Sequence, residues 1–130
     1  MRTALLTYLT ANLTGTIKPS QELPFEESGI PMYLRNMRRV YLDEPVKEQV
    51  ELVPTLDDTD INQTVTTVRG YLTLDAKTRN ADLDTALSVM AAAKNGATNS
   101  DSFRKEFDYT TRMDTDRIIY EFEYRYYSLA

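Results

Sequence analysis

Glu121 and Glu123 lie two residues apart near the end of the chain. In an extended strand that spacing sets two carboxylates side by side on one face. Paired carboxylates do acid–base work when their surroundings differ enough to separate their proton affinities. Here Arg117 and Arg125 share the face, and Arg104, Glu106, Asp108 and Arg112 fall on the matching face of the preceding segment. A ladder of opposite charges across two strands accounts for all of them without catalysis, and no nucleophile or phosphate-binding motif accompanies the pair. A second acidic group, Asp57, Asp58 and Asp60, surrounds Thr59. Clustered carboxylates can hold calcium or magnesium. This run lacks the spaced ligands, central glycine and distal glutamate of a calcium loop, so it reads as a solvated acidic turn. Arg35, Arg38 and Arg39 are the only basic cluster, and in a strand they point to both sides rather than to one patch.

The chain contains no His and no Cys. That removes the commonest general base, the commonest metal ligand and all thiol chemistry, and excludes zinc sites of the His and Cys kinds. The expectation is a protein that is not an enzyme, with no cofactor and no metal. Twenty acids against 15 bases give a net charge of −5, which argues against tight binding to nucleic acid through its phosphates. Near the N-terminus the apolar run is only Ala4-Leu5-Leu6, too short for a signal-peptide core or a membrane span. A soluble protein that stays where it is made is expected. At 130 residues one domain, 1–130, has enough chain for a core of its own.

The elements that must position these charges follow from periodicity. Residues 2–14 carry Leu5, Leu6, Leu9 and Leu13 on one helical face, with Gly15 placed to end the helix. Residues 17–31 are rich in Pro, Ser and Gly and read as a connecting loop, with room for a short edge strand around 23–26. Residues 32–43 regain extended character, although Arg38 falls among the apolar set. Val46, Val50, Leu52 and Val53 form a further short apolar set. Residues 62–75 alternate as a long strand of Thr and Val, where Gly70 marks a bulge or a close backbone approach. A second helix, about 81–95, has Leu83, Ala86, Leu87, Met90 and Ala93 on one face. Asn80 is its expected N-cap and Asp82 and Asp84 lie in its first turn.

Two alternating segments close the chain. Phe103, Phe107, Tyr109, Tyr120, Phe122, Tyr124 and Tyr126 share one face, and Asp114-Thr115-Asp116 turns between them. This predicts a long antiparallel hairpin at the centre of the sheet, because a terminal strand so aromatic is hazardous as an open edge. The aromatic face is expected beneath the helices, with some tyrosines at its margin. The fold class is α+β: a mixed or antiparallel sheet of about four to five strands, two helices packed on one face, and a C-terminal β-hairpin.

Three stretches carry a family resemblance. They are the strand and exit from Thr66 through Val68, Arg69, Gly70, Tyr71 and Asp75 to Lys77, the helix Leu83-Asp84-Thr85-Ala86-Leu87, and the closing Tyr120-Glu121-Phe122-Glu123-Tyr124. In position and order they resemble the tail terminator proteins of long-tailed bacteriophages, over about the last two-thirds of the chain. The resemblance implies a cyclic homo-oligomer, usually a hexamer, at the head-proximal end of the tail tube. It would stop tube polymerisation and offer a surface for head attachment. It implies as partners the tail tube protein and a head completion or connector protein, no membrane, and DNA passing through without specific binding. Assembly in the host cytoplasm and a final place in the virion neck follow. The acidic residues Asp57, Asp58 and Asp60 would then line or edge the lumen. Arg104, Glu106, Arg112, Glu121, Glu123 and Arg125 would meet a neighbouring subunit or the tube. Tail-completion and connector proteins share that fold, so they are the alternative role. A small acidic host-interaction module is a more distant one.

Overall fold

Leucines at 5, 6 and 9 are buried on one side of the first helix, α1 (Arg2–Asn12). Thr7 and Thr10 donate their hydroxyls back to the carbonyls of Thr3 and Leu6, four residues earlier in the helix. The helix stops two residues earlier than the pattern predicts. Leu13 turns extended, at φ −83 and ψ 98, and stays buried in the core. The computed structural model describes residues 1–25, 31–53, 61–77, 82–97 and 102–129. After α1 come β1 (Lys18–Pro19), a 3-10 turn (Met32–Leu34), β2 (Arg39–Leu42), β3 (Val46–Val53) and β4 (Ile61–Asp75). They are followed by α2 (Leu83–Gly96), β5 (Ser102–Asp114) and β6 (Arg117–Leu129). The acidic turn Asp57, Asp58 and Asp60 lies outside the described residues. The expected N-cap Asn80 needs correction: α2 starts at Leu83, so Asp82, expected in the first turn, takes the N-cap position, and its side chain caps no N–H of the helix.

The strands make one six-stranded sheet in the order β1-β2-β4-β6-β5, with β3 also on β4. Only β1 against β2 is parallel, so the sheet is mixed. The fold is the expected α+β class with its closing hairpin. β4 serves as the spine. Along one side it holds β3 over Ile61–Thr67 and β2 over Gly70–Leu72, and along the other it runs beside β6 from Gln63 to Asp75 without a break. Gly70 is therefore a site of close approach rather than of a bulge. A Cβ there would penetrate the ring of Phe122 and stand 2.7 Å from the carbonyl oxygen of Tyr41.

Leu5, Leu9, Met90 and Ala93 of the helices pack on Val40, Leu72, Phe122, Tyr124 and Tyr126 of the sheet. The aromatic stripe of β6 is thus core, as the alternation predicts. Its fully buried Tyr124 donates its hydroxyl to the Met90 carbonyl of α2.

Two further expectations need correction. The stretch 32–43 is not one strand. Met32–Leu34 folds as a 3-10 turn, Arg38 takes φ 63, and only Arg39–Leu42 is extended. The turn lets Tyr33 fold over the sheet and stack on Tyr71, with ring centroids 4.4 Å apart and 12° between planes. The misfit of Arg38 in the apolar set marks the residue that makes this reversal. Second, only half of the hairpin is internal. β6 is paired on both sides, whereas β5 is an outer strand of the sheet. The aromatic hazard is met by burying β6, while the outer strand carries charges at 104, 105, 106, 108, 112 and 114. A register shift between Ser102 and Arg104 also leaves Phe103 57% exposed, beside Tyr127 rather than in the core.

Candidate interaction face

The face of the sheet away from the helices collects the alternate residues of β4, β6 and β5. Pairing sets them in rows: Tyr71, Glu121 and Thr110; then Arg69, Glu123 and Asp108; then Thr67, Arg125 and Glu106. Period-two alternation brings the predicted residues Glu106, Arg112, Glu121, Glu123 and Arg125 onto one surface, and Arg104 joins them beside Tyr127.

Their charges pair within the chain. Arg69 Nε meets Glu123 at 3.0 Å, and Arg112 Nε meets Glu121 at 2.8 Å. Arg125 is a hub: it holds Asp108, and it lies 3.5 Å from Glu106 and 3.9 Å from Glu123. Arg104 reaches Glu106 and lies over the Tyr127 ring, 5.3 Å from its centroid. Bonded carboxylates raise the proton affinity of Arg69, Arg112 and Arg125. For Arg69 and Arg112 the bond to glutamate is the leading cause, while for Arg125 partial burial works against it.

Over these rows lies a shallow depression of about 460 Å³, lined by Arg69, Tyr71, Asp108, Thr110, Glu121 and Glu123 among others. Each of its two glutamates meets an arginine of another strand at a solvent-facing surface, and Glu123 also has Arg125 and the opposed Asp108 beside it. No group of three His, Cys, Asp or Glu fit to hold a metal occurs among the described residues. Chemically, the face is a set of paired charges of both signs, suited to meeting another charged surface.

One part of this face is absent from the sequence reading. Tyr33, Tyr41 and Ile119 form a second small core here, with Tyr71 against it. The ring of Phe25 stands edge-on to both Tyr33 and Tyr71. Two arginines of the hairpin latch the covering segment, Arg112 donating to the Tyr33 hydroxyl at 3.0 Å and Arg117 to the Leu34 carbonyl at 2.7 Å. Burial there pushes the Tyr71 hydroxyl above its ordinary value, with Asp43 adding to the effect. The available signal was Tyr71 and Ile119, two large apolar side chains in the charged register.

The geometry thus defines an α+β protein whose mixed sheet carries helices on one side and a charged ladder on the other. No protein-family model matches the chain, and no curated protein is significantly similar to it.

Proposed function

We propose that the chain is a virion structural protein that assembles as a ring at the head-proximal end of a phage tail tube. There it ends tube growth and presents a surface for head attachment. Support comes from the sequence resemblance and, in the structure, from one observation above others: arginines and carboxylates of β4, β5 and β6 pair with one another across the outer face. Such a pattern of paired charges can give register to docking against another charged surface. In this reading the face bearing Glu121, Glu123 and Arg125 meets the tube or the next subunit. Asp57, Asp58 and Asp60 edge the lumen, and no reaction is catalysed.

The test is electron microscopy of particles assembled without the protein. Overlong, headless tubes, capped on addition of the purified chain by a ring, are expected. Tails of normal length with detached heads would transfer the chain to a head-joining role. Particles indistinguishable from wild type would remove it from the tail altogether.

A further inference from the structure

Among the described residues, no strand pairs with the outer side of β5. That strand is 13 residues long and bears Phe103, Tyr109 and Met113 at 57%, 47% and 65% exposure. A long strand with unpaired backbone groups is a template for another strand. We propose that the free chain dimerises through this edge, β5 against β5 of a second copy, antiparallel, with the two-fold axis through Tyr109.

The charge sequence selects both the partner and the register. A two-fold axis perpendicular to the sheet keeps like faces together, so the pleat allows only axes that pass through a residue. With the axis at Tyr109, Arg104 stands opposite Asp114 of the second copy and Glu106 opposite its Arg112. Asp108 stands opposite Thr110, and symmetry repeats each pair. No like charges meet. Moving the axis to Asp108 sets Arg104 against Arg112, two like charges, and Asp108 against itself. Moving it to Thr110 sets Glu106 against Asp114. Like charges directly opposite destabilise a pair of strands, and opposite charges stabilise it.

The other face agrees. Tyr109 meets its own copy, Phe107 meets Thr111, and the stem of Lys105 covers Met113. Exposed apolar surface is removed from water at each position. The product is an isologous dimer whose two six-stranded sheets run on as one. This pairing is independent of the ring reading. A two-fold pair has no direction, whereas a ring on a tube end does, so the pair would have to open before the chain enters a ring.

Native mass measurement of the full chain at micromolar concentration tests the proposal, and a dimer is expected. A monomer at every concentration overturns it. The chain has no cysteine, so Tyr109→Cys reports the axis directly. Opposed Cβ atoms lie about 4.5–5.5 Å apart in such a pair, near the ~3.8 Å a disulfide needs. Mild oxidation is expected to link Tyr109→Cys into a covalent dimer and to leave Phe103→Cys unlinked. Equal linking at both positions overturns the register. Arg104→Asp sets like charges opposite one another at both ends and is expected to lose the dimer. Adding Asp114→Arg to it is expected to restore the dimer, and failure of that rescue overturns the charge argument. A hexamer in solution without linkage at position 109 overturns the pairing and leaves the ring reading standing. Linked dimers together with unaltered particles in the deletion do the reverse.

Discussion

The carboxylate of Asp82 accepts two hydrogen bonds from Thr16, one from its backbone N–H at 2.9 Å and one from its hydroxyl at 2.7 Å. The two residues are 66 apart in sequence, so the start of α2 is tied to the chain leaving α1. Gly15 sits against the same carboxylate, and a Cβ there would come within 2.8 Å of it. These bonds favour the charged form and hold Asp82 below its ordinary value of 3.8. A lowered value means the folded state binds the proton less tightly than the unfolded chain. The stabilisation is therefore complete above the ordinary value and is lost as pH falls through the lowered one. Asp82→Ala is expected to reduce Tm at neutral pH, and thermal melts at falling pH should show the gap to wild type closing in acid.

Two buried tyrosines on β6 should respond in opposite ways to loss of the hydroxyl. That of Tyr124 is bonded to Met90, while that of Tyr126 is buried with no partner among the described residues. Tyr124→Phe is expected to cost about 1 kcal/mol in a denaturant melt. Tyr126→Phe should be neutral or stabilising, since it removes a desolvated polar atom and adds nothing.

Burial pushes the Tyr126 hydroxyl up to about 12 and Tyr124 higher still. The unfolded chain releases these protons near the ordinary value of 10.0, the folded chain later. Stability is thus fully present below pH 10, falls as pH rises above it, and for Tyr126 its contribution is exhausted near pH 12. Ultraviolet titration should show tyrosinate from the exposed rings first, with the last ionisations coinciding with loss of helical circular dichroism. Smooth ionisation of all nine tyrosines with the fold intact would contradict the burial.

Gly70→Ala is expected to destabilise by about 1–3 kcal/mol, the usual cost of overpacking a well-filled core. The added methyl has the Phe122 ring on one side and the Tyr41 carbonyl on the other. Combining it with Phe122→Leu makes room on one side and should recover part of the loss, which a double-mutant cycle measures.

Arg125 stands among Glu106, Asp108 and Glu123. Replacing it with Met leaves three carboxylates facing one another. The loss at low ionic strength is expected to be about 1 kcal/mol, the upper range for exposed pairs. Added salt should recover part of it by screening the repulsion, so chemical denaturation with urea at two salt concentrations reads the effect.

Alternation alone was enough to place β4, β5, β6 and the charged face, because period two is the direct imprint of a sheet with one wet side. The opposed charges at 106 and 125, and the diagonal pair 112 and 121, then follow from the register. The core role of Phe122 was equally legible. What alternation does not carry is which strands lie next to one another. β5 and β6 look alike in length and period, and only the pairing of β6 with β4, remote in sequence, decides which becomes the outer strand. The Tyr33 strap escaped for a related reason. It is fixed by ring stacking and by Arg112 and Arg117 from the far end of the chain, and Pro31 and Arg38 show locally only that the extended run is broken.

The spine strand β4 has a kinetic consequence. Hairpin β5–β6 joins neighbours in sequence, and β3 reaches β4 across a short connection, so both can form early. The seam between β4 and β6 instead brings together residues such as Arg69 and Glu123, 54 positions apart, and closes a loop that contains α2. Contacts so distant come at a late, slow stage of folding. The seam at Gly70 and Phe122 is therefore where the chain commits to its native topology. Substitutions there should slow refolding, whereas those on the outer strand should chiefly hasten unfolding.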